Sequence, residues 1–151
     1  ISLFAATKTY NIPGLGCAAA IIPDPQLRAQ FQDQEAGLVS GIGPLNIVAS
    51  ETAFNDRSNW LEGLLAQLRS NVQKLEQVVG TRMTPVEATY LAWVNIADLG
   101  INDVEAHFEA HGLGISDGAQ FGHPDYIRFN FACPDELLTE GLQRLGRALS
   151  A

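Results

Sequence analysis

A mixed α/β chain that ends in a small α+β domain is what this sequence predicts. Three observations lead there. Two short apolar stretches near the start are separated by a Gly/Pro-rich turn. One long amphipathic helix spans residues 60–79, and the residues after it alternate between period-two and helical spacing.

The 151 residues suffice for one domain with a core, or for one domain and part of another. Hydrophobic residues make up 46% and charged residues 17%, a balance that fits a globular chain and argues against disorder. The formal net charge of −8 argues against nucleic acid and anionic membrane as partners, because phosphates repel an acidic surface. No apolar run is long enough to cross a bilayer, and no segment has the layout of a secretory signal. Cys17 and Cys133 lie far apart without CxxC spacing. Reduced thiols of a cytosolic protein are therefore the default, and a single disulfide stays open. The chain begins without Met on the apolar run Ile1-Ser2-Leu3-Phe4-Ala5-Ala6, where a polar, frayed end is commoner, so a truncated chain is expected.

Residues 1–6 predict a buried strand, followed by Thr7-Lys8-Thr9-Tyr10-Asn11 and a break at Pro13-Gly14-Leu15-Gly16. Residues 17–22 are small and apolar, which predicts a second buried strand ended by the Pro23-Asp24-Pro25 turn. A short helix over 26–35 places Leu27 and Phe31 four apart. Residues 37–44 form a Gly-punctuated connection, and Leu45, Val48, Ala49 and Ala53 return to helical spacing. Asp56-Arg57-Ser58-Asn59 then offers capping side chains for the long helix. Its Trp60, Leu61, Leu64, Leu65, Leu68, Val72, Leu75 and Val79 step by one, three or four residues until Gly80 closes it.

Beyond it, residues 85–96 are rich in β-formers. Asn102 or Asp103 caps a short helix through His111, which Gly112 ends. Residues 113–121 and 126–132 predict strands around a Gly122-His123-Pro124-Asp125 turn. In the second of them Ile127, Phe129 and Phe131 alternate with Arg128 and Asn130. Pro134 opens a last helix carrying Leu137, Leu138, Leu142, Leu145 and Leu149.

Few residues stand out chemically. Lysine occurs only at Lys8 and Lys74, and Lys74 falls on the polar side of the long helix. Lys8 follows an apolar strand and precedes a turn. A partly buried lysine there is a usable nucleophile for Schiff-base chemistry, while the plain reading is a solvated lysine at a strand end. Arg128 has a plain reading too, as a surface arginine on a polar strand face. His107 and His111 lie four apart, but His-Phe-Glu-Ala-His is not His-Glu-x-x-His, so no metal site is expected. Gly14-x-Gly16 and Gly41-x-Gly43 are isolated pairs and make no dinucleotide loop. Tyr90 and Trp93 read as core or cleft-wall aromatics, and His123 as a turn residue. Cys133 precedes a helix, which can lower a thiol pKa, yet a structural cysteine is the expectation.

The segment Thr7-Lys8-Thr9-Tyr10-Asn11-Ile12-Pro13-Gly14-Leu15 resembles the cofactor-lysine motif of fold-type I pyridoxal-phosphate (PLP) enzymes. It is most similar to the cystathionine β-lyase-like C–S lyase branch of the class I/II aminotransferase superfamily. Three more segments resemble that branch in the same order: Trp60-Leu61, Thr89-Tyr90-Leu91-Ala92-Trp93, and Asp117-Gly118-Ala119-Gln120-Phe121-Gly122 leading to Ile127-Arg128-Phe129-Asn130. The resemblance implies that residues 1–44 are the end of the large PLP-binding α/β domain. Residues 45–151 would then be an interdomain helix and the small C-terminal α+β domain.

By the same resemblance Lys8 would bind PLP as a Schiff base and take the substrate's Cα proton. Thr7 would offer its hydroxyl to the cofactor phosphate, although Ala5 stands where the family often has another hydroxyl. Arg128 would grip the α-carboxylate of a small amino-acid substrate with its two-pronged fork. The implied reaction is elimination from cystathionine or a related cysteine S-conjugate to thiol, pyruvate and ammonia, in a cytoplasmic homodimer. An aminotransferase using the same lysine and arginine is the alternative, and Asn95 stands where the lyase branch usually has an acid. A non-catalytic fragment is a third reading. The acid that pairs the pyridine nitrogen, the ring that stacks on the cofactor and most of the phosphate turn belong to a part of the family fold not matched here, so these residues alone are expected to be inactive.

Overall fold

The computed structural model describes residues 1–35, 37 and 41–151. They fall into two units, Ile1–Leu61 and Glu62–Ala151.

In the first unit, β1 (Ser2–Ala5) and β2 (Ala18–Ile21) pair antiparallel, with Ser2 opposite Ile21 and Ala5 opposite Ala18. The expectation of buried strands needs correction. Every residue of both strands is exposed, Leu3 at 72%, and burial is confined to the flanking Ala6 and Ile22. An apolar strand is buried only where a second layer covers it, and no described residue of this unit covers this ribbon.

Helix α1 (Pro25–Glu35) starts where Asp24 Oδ1 accepts the backbone N–H groups of Gln26 and Leu27 at 2.8 and 3.0 Å. Of the expected apolar pair, Phe31 is half-buried and Leu27 exposed. The predicted connection over 37–44 lies partly outside the described residues. Helix α2 (Pro44–Phe54) has Pro44 in its first turn, where the missing N–H costs nothing.

Helix α3 (Trp60–Val79) begins at the end of the first unit and continues through the second. Its start is tied by the predicted capping residues. The Ser58 hydroxyl donates to Asp56 Oδ2 at 2.9 Å, and the Trp60 N–H donates to Ser58 Oγ at 3.2 Å. Gly80, at φ 57°, takes the left-handed conformation that ends it.

The second unit continues with β3 (Leu91–Asn95), α4 (Val104–Ala110), β4 (Ser116–Asp117), β5 (Tyr126–Asn130) and α5 (Asp135–Ala148). The strands form one antiparallel sheet in the order β3-β5-β4. Element order agrees with the sequence expectation, but the strands are shorter. Residues 85–90 are irregular, and Thr89 sits at φ 69°, a strained value for a β-branched residue. After two residues of β4, Asp117 Oδ1 accepts the Ala119 N–H at 2.8 Å and turns the chain into a 3-10 helix over Gly118–Phe121. At the end of β5, Asn130 Oδ1 accepts the Ala132 N–H at 2.9 Å, which stops the strand two residues early.

Alternation sends Ala92, Val94, Ile127 and Phe129 to one face of the sheet. There they join Leu75 and Val79 of α3, Phe108 of α4, and Leu138, Leu142 and Leu145 of α5 in a single core. Each large side chain fully buried in it contributes about 1.5–3 kcal/mol over an exposed one. Leu137 falls off the α5 stripe and is exposed. The opposite face of the sheet carries Trp93, Asn95, Tyr126 and Arg128, half-buried.

Candidate functional site

Lys8 lies in the turn that follows β1. The turn is closed by backbone bonds from Tyr10 N–H to the Ala6 carbonyl and from Ile12 N–H to the Thr7 carbonyl, both at 3.0 Å. Asn11 adopts φ 53°, the left-handed region that asparagine tolerates and that lets the chain reverse toward Pro13. Lys8 is exposed rather than partly buried, because the ribbon before it is uncovered. Among the described residues its ammonium has no ion-pair partner, and Thr7 beside it is half-buried with a hydroxyl that bonds nothing described.

Two anchors hold this turn that residue type alone does not reveal. The Tyr10 ring stacks on Trp60, with centroids 6.0 Å apart and planes at 18°, and meets the edge of Phe54 at 6.3 Å. Asn46 Nδ2 donates to the Gly16 carbonyl at 2.9 Å, fixing the far side of the turn to α2. Tyr10 and Trp60 both belong to the quoted motifs, so their spacing was visible while their contact was not.

Arg128 lies in the second unit, at the centre of the outer sheet face. It is the direct cross-strand neighbour of Trp93 on one side and of Ser116 on the other. Its Nη2 donates to Ser116 Oγ at 3.0 Å, and its guanidinium carbon sits 4.7 Å from the centroid of the Phe121 ring. Trp93 stacks on Tyr126 at 5.3 Å and meets Phe121 and His123 edge-on. Arg128 stands out in the sequence, whereas nothing there assigns a role to Ser116 or Phe121.

The remaining candidates have local explanations. His107 Nε2 pairs with the Ala148 carbonyl at 2.9 Å and His111 Nδ1 with the His107 carbonyl at 2.8 Å. His123 sits exposed in the turn after Phe121. Cys133 departs from the possibility of a lowered pKa: burial pushes its thiol up. Lys74 forms an ion pair with Asp135. Asn95 Oδ1 accepts the Ala97 N–H at 3.0 Å, ending β3 in a turn.

Among the described residues, the first unit offers an unpaired primary amine next to a hydroxyl without a partner, which fits an aldehyde- and phosphate-bearing cofactor such as PLP. The second unit offers, by itself, a guanidinium without a carboxylate among the described residues. No helix of the described residues is long and apolar enough to cross a membrane.

A family model described as aminotransferase class I and II matches residues 4–145. Cystathionine beta-lyase PatB of Bacillus subtilis (strain 168) is 30% identical over 162 residues, covering 99% of this chain and 42% of that protein. Among solved structures, OvoB superposes with a TM-score of 0.91 at 41% identity, covering 99% of this chain and 40% of that one. The PLP-bound C–S lyase from Staphylococcus hominis has a TM-score of 0.84 at 28% identity, covering 97% and 41%. The chain thus spans 42% of the length of the curated relatives it matches.

Proposed function

The chain belongs to the aminotransferase class I and II family, and on that premise we propose that it is part of a PLP-dependent C–S β-lyase acting on cystathionine or a related cysteine S-conjugate. The observation that carries this reading is Lys8, an amine unpaired among the described residues, beside the Thr7 hydroxyl in a turn anchored by Tyr10 on Trp60. The cystathionine β-lyase and C–S lyase relatives support the lyase branch.

Lys8 would hold PLP, which would supply an electron sink for the charge that develops at the substrate Cα. Freed from the cofactor by the substrate's amine, Lys8 Nζ would take the Cα proton, and the Thr7 hydroxyl would donate to the cofactor phosphate. Arg128 grips the α-carboxylate through two parallel N–H bonds, an arrangement a lysine cannot reproduce. Loss of the proton at Cα and of a thiolate at Cβ gives thiol, and hydrolysis completes pyruvate and ammonia. In this reading residues 1–44 close the large cofactor domain and residues 45–151 form the interdomain helix and small domain. The enzyme is a cytoplasmic homodimer, and these residues by themselves are inactive.

The second reading is an aminotransferase with the same lysine and arginine, favoured by Asn95 standing where the lyase branch usually has an acid. The test is release of pyruvate from L-cystathionine by the PLP-loaded enzyme. The lyase reading expects stoichiometric pyruvate, lost in Lys8→Ala; amino transfer that requires a keto acid and yields no pyruvate would sink it.

A further inference from the structure

We propose that Phe121 and Ser116 are positioning residues for Arg128, holding its guanidinium so that one edge stays open to a carboxylate. The inference rests on the carboxylate-binding reading of Arg128 and adds what makes that side chain rigid.

A half-buried guanidinium ordinarily has an acidic partner, because its charge loses water on burial. Among the described residues three ion pairs form, engaging Lys74, Arg82 and Arg144, and none engages Arg128. Its charge is met instead by two neutral groups. The Phe121 ring lies against the guanidinium at 4.7 Å, where the negative face of the π-system attracts a cation without neutralising it. Ser116 Oγ accepts one N–H from Nη2 at 3.0 Å, which sets the rotation of the fork about its own plane. Nη1 and Nε have no partner among the described residues. A carboxylate in place of either neutral group would occupy the fork; these two orient it and leave its other N–H groups open.

The support is itself braced. Phe121 is 46% exposed, so its place is not explained by the core. Trp93 holds it edge-on at 5.9 Å and is held in turn by stacking on Tyr126. The 3-10 helix that delivers Phe121 is pinned at both ends. Asp117 caps its start, and the His123 N–H donates to the Gly118 carbonyl at 2.9 Å beyond its end. Ser116 reaches Arg128 because the β4–β5 register sets the two directly opposite. A side chain locked by a ring and a hydroxyl loses less freedom when it binds, and that saving appears as affinity.

The test reads the guanidinium directly, without cofactor. In the 15N-labelled 151-residue chain, the Arg128 Nη2 signal, identified by its loss in Arg128→Lys, exchanges more slowly with water than those of the exposed Arg69 and Arg147. Phe121→Leu and Ser116→Ala each bring it toward the exposed arginines, and Phe121→Tyr restores it. In the PLP-loaded enzyme the same two variants raise KM for L-cystathionine about three- to tenfold, with kcat within about twofold. Ser116→Ala removes a single oxygen and keeps the test decisive if Phe121→Leu does not fold. Unchanged exchange and unchanged KM in both variants overturn the proposal. If Arg128→Lys raises KM steeply while the two variants do nothing, the carboxylate reading stands and the positioning role alone falls. If Arg128→Lys leaves KM unchanged, both fall.

Discussion

Asn71 of α3 has no exposed surface, and its carboxamide donates to the carbonyls of Phe131 at 2.8 Å and Cys133 at 3.1 Å. Its Oδ1 accepts from Gln67 Nε2 at 2.7 Å, so the group is satisfied on both sides. The contact ties the long helix to the segment that joins β5 to α5, sixty residues away in sequence. Asn71→Leu keeps the branched shape but adds bulk, and it leaves the Cys133 carbonyl without this donor and the Phe131 carbonyl with the Cys133 N–H alone. A loss of about 2–4 kcal/mol is expected, read as a lower urea midpoint at unchanged slope.

Gly118 is buried at the start of the 3-10 helix that carries Phe121. A Cβ there would lie far inside van der Waals contact with the backbone oxygens of His123 and Tyr126, which cannot swing aside as a side chain can. Gly118→Ala therefore moves backbone and costs about 1–3 kcal/mol of stability. Gly114→Ala meets open space and serves as the control. Equal melting temperatures for the two variants would contradict the close approach.

What was legible in the sequence follows the range of the forces involved. The long helix and α5 were plain, because a repeated apolar stripe and local caps such as Asp56-Ser58 and Asp103 act within one or two turns. The strands are shorter than their spacing suggests, since period-two spacing does not say where pairing stops. Thr89 in the left-handed region and Asp117 folding back on Ala119 decide that. Burial of β1 and β2 is not legible in their residues, because it depends on what covers a strand, not on what the strand contains. Lys8 and Arg128 stand out by residue type and motif. Their contacts do not: Tyr10 meets Trp60, and Ser116 and Phe121 meet Arg128, only once the chain is folded.

Arg82 grips Asp98 with both of its terminal nitrogens, Nη2 reaching Oδ2 at 2.8 Å. The hydrogen bonds from Arg82 hold the Asp98 carboxyl below its ordinary 3.8. With the folded value below the unfolded one, the pair's contribution is present above pH 3.8 and is lost as pH falls through the folded value. Asp98 is exposed, so the effect is small and its sign is the test. The melting temperature of the parent chain should fall more steeply below about pH 3.8 than that of Asp98→Asn. Parallel acid limbs would show the pair to be inert.

Lys8 is available but thinly supported. Its amine is exposed, Thr7 is the one hydroxyl directly before it, and Ala5 contributes none. PLP affinity comes mainly from groups that hold the phosphate, stack on the ring and pair the pyridine nitrogen, and the turn over residues 7–16 supplies little of that set. The 151-residue chain should therefore take up PLP weakly, without saturating, and release no pyruvate from L-cystathionine. Borohydride reduction followed by peptide mapping separates the cases, because the chain has two lysines, Lys8 and Lys74, beside its terminal amine, and Lys74 is paired with Asp135. In the PLP-loaded enzyme the label belongs on Lys8. Saturable uptake by the isolated chain that disappears in Lys8→Ala would mean that these residues build a cofactor site on their own, and the expectation of an inactive piece would fail.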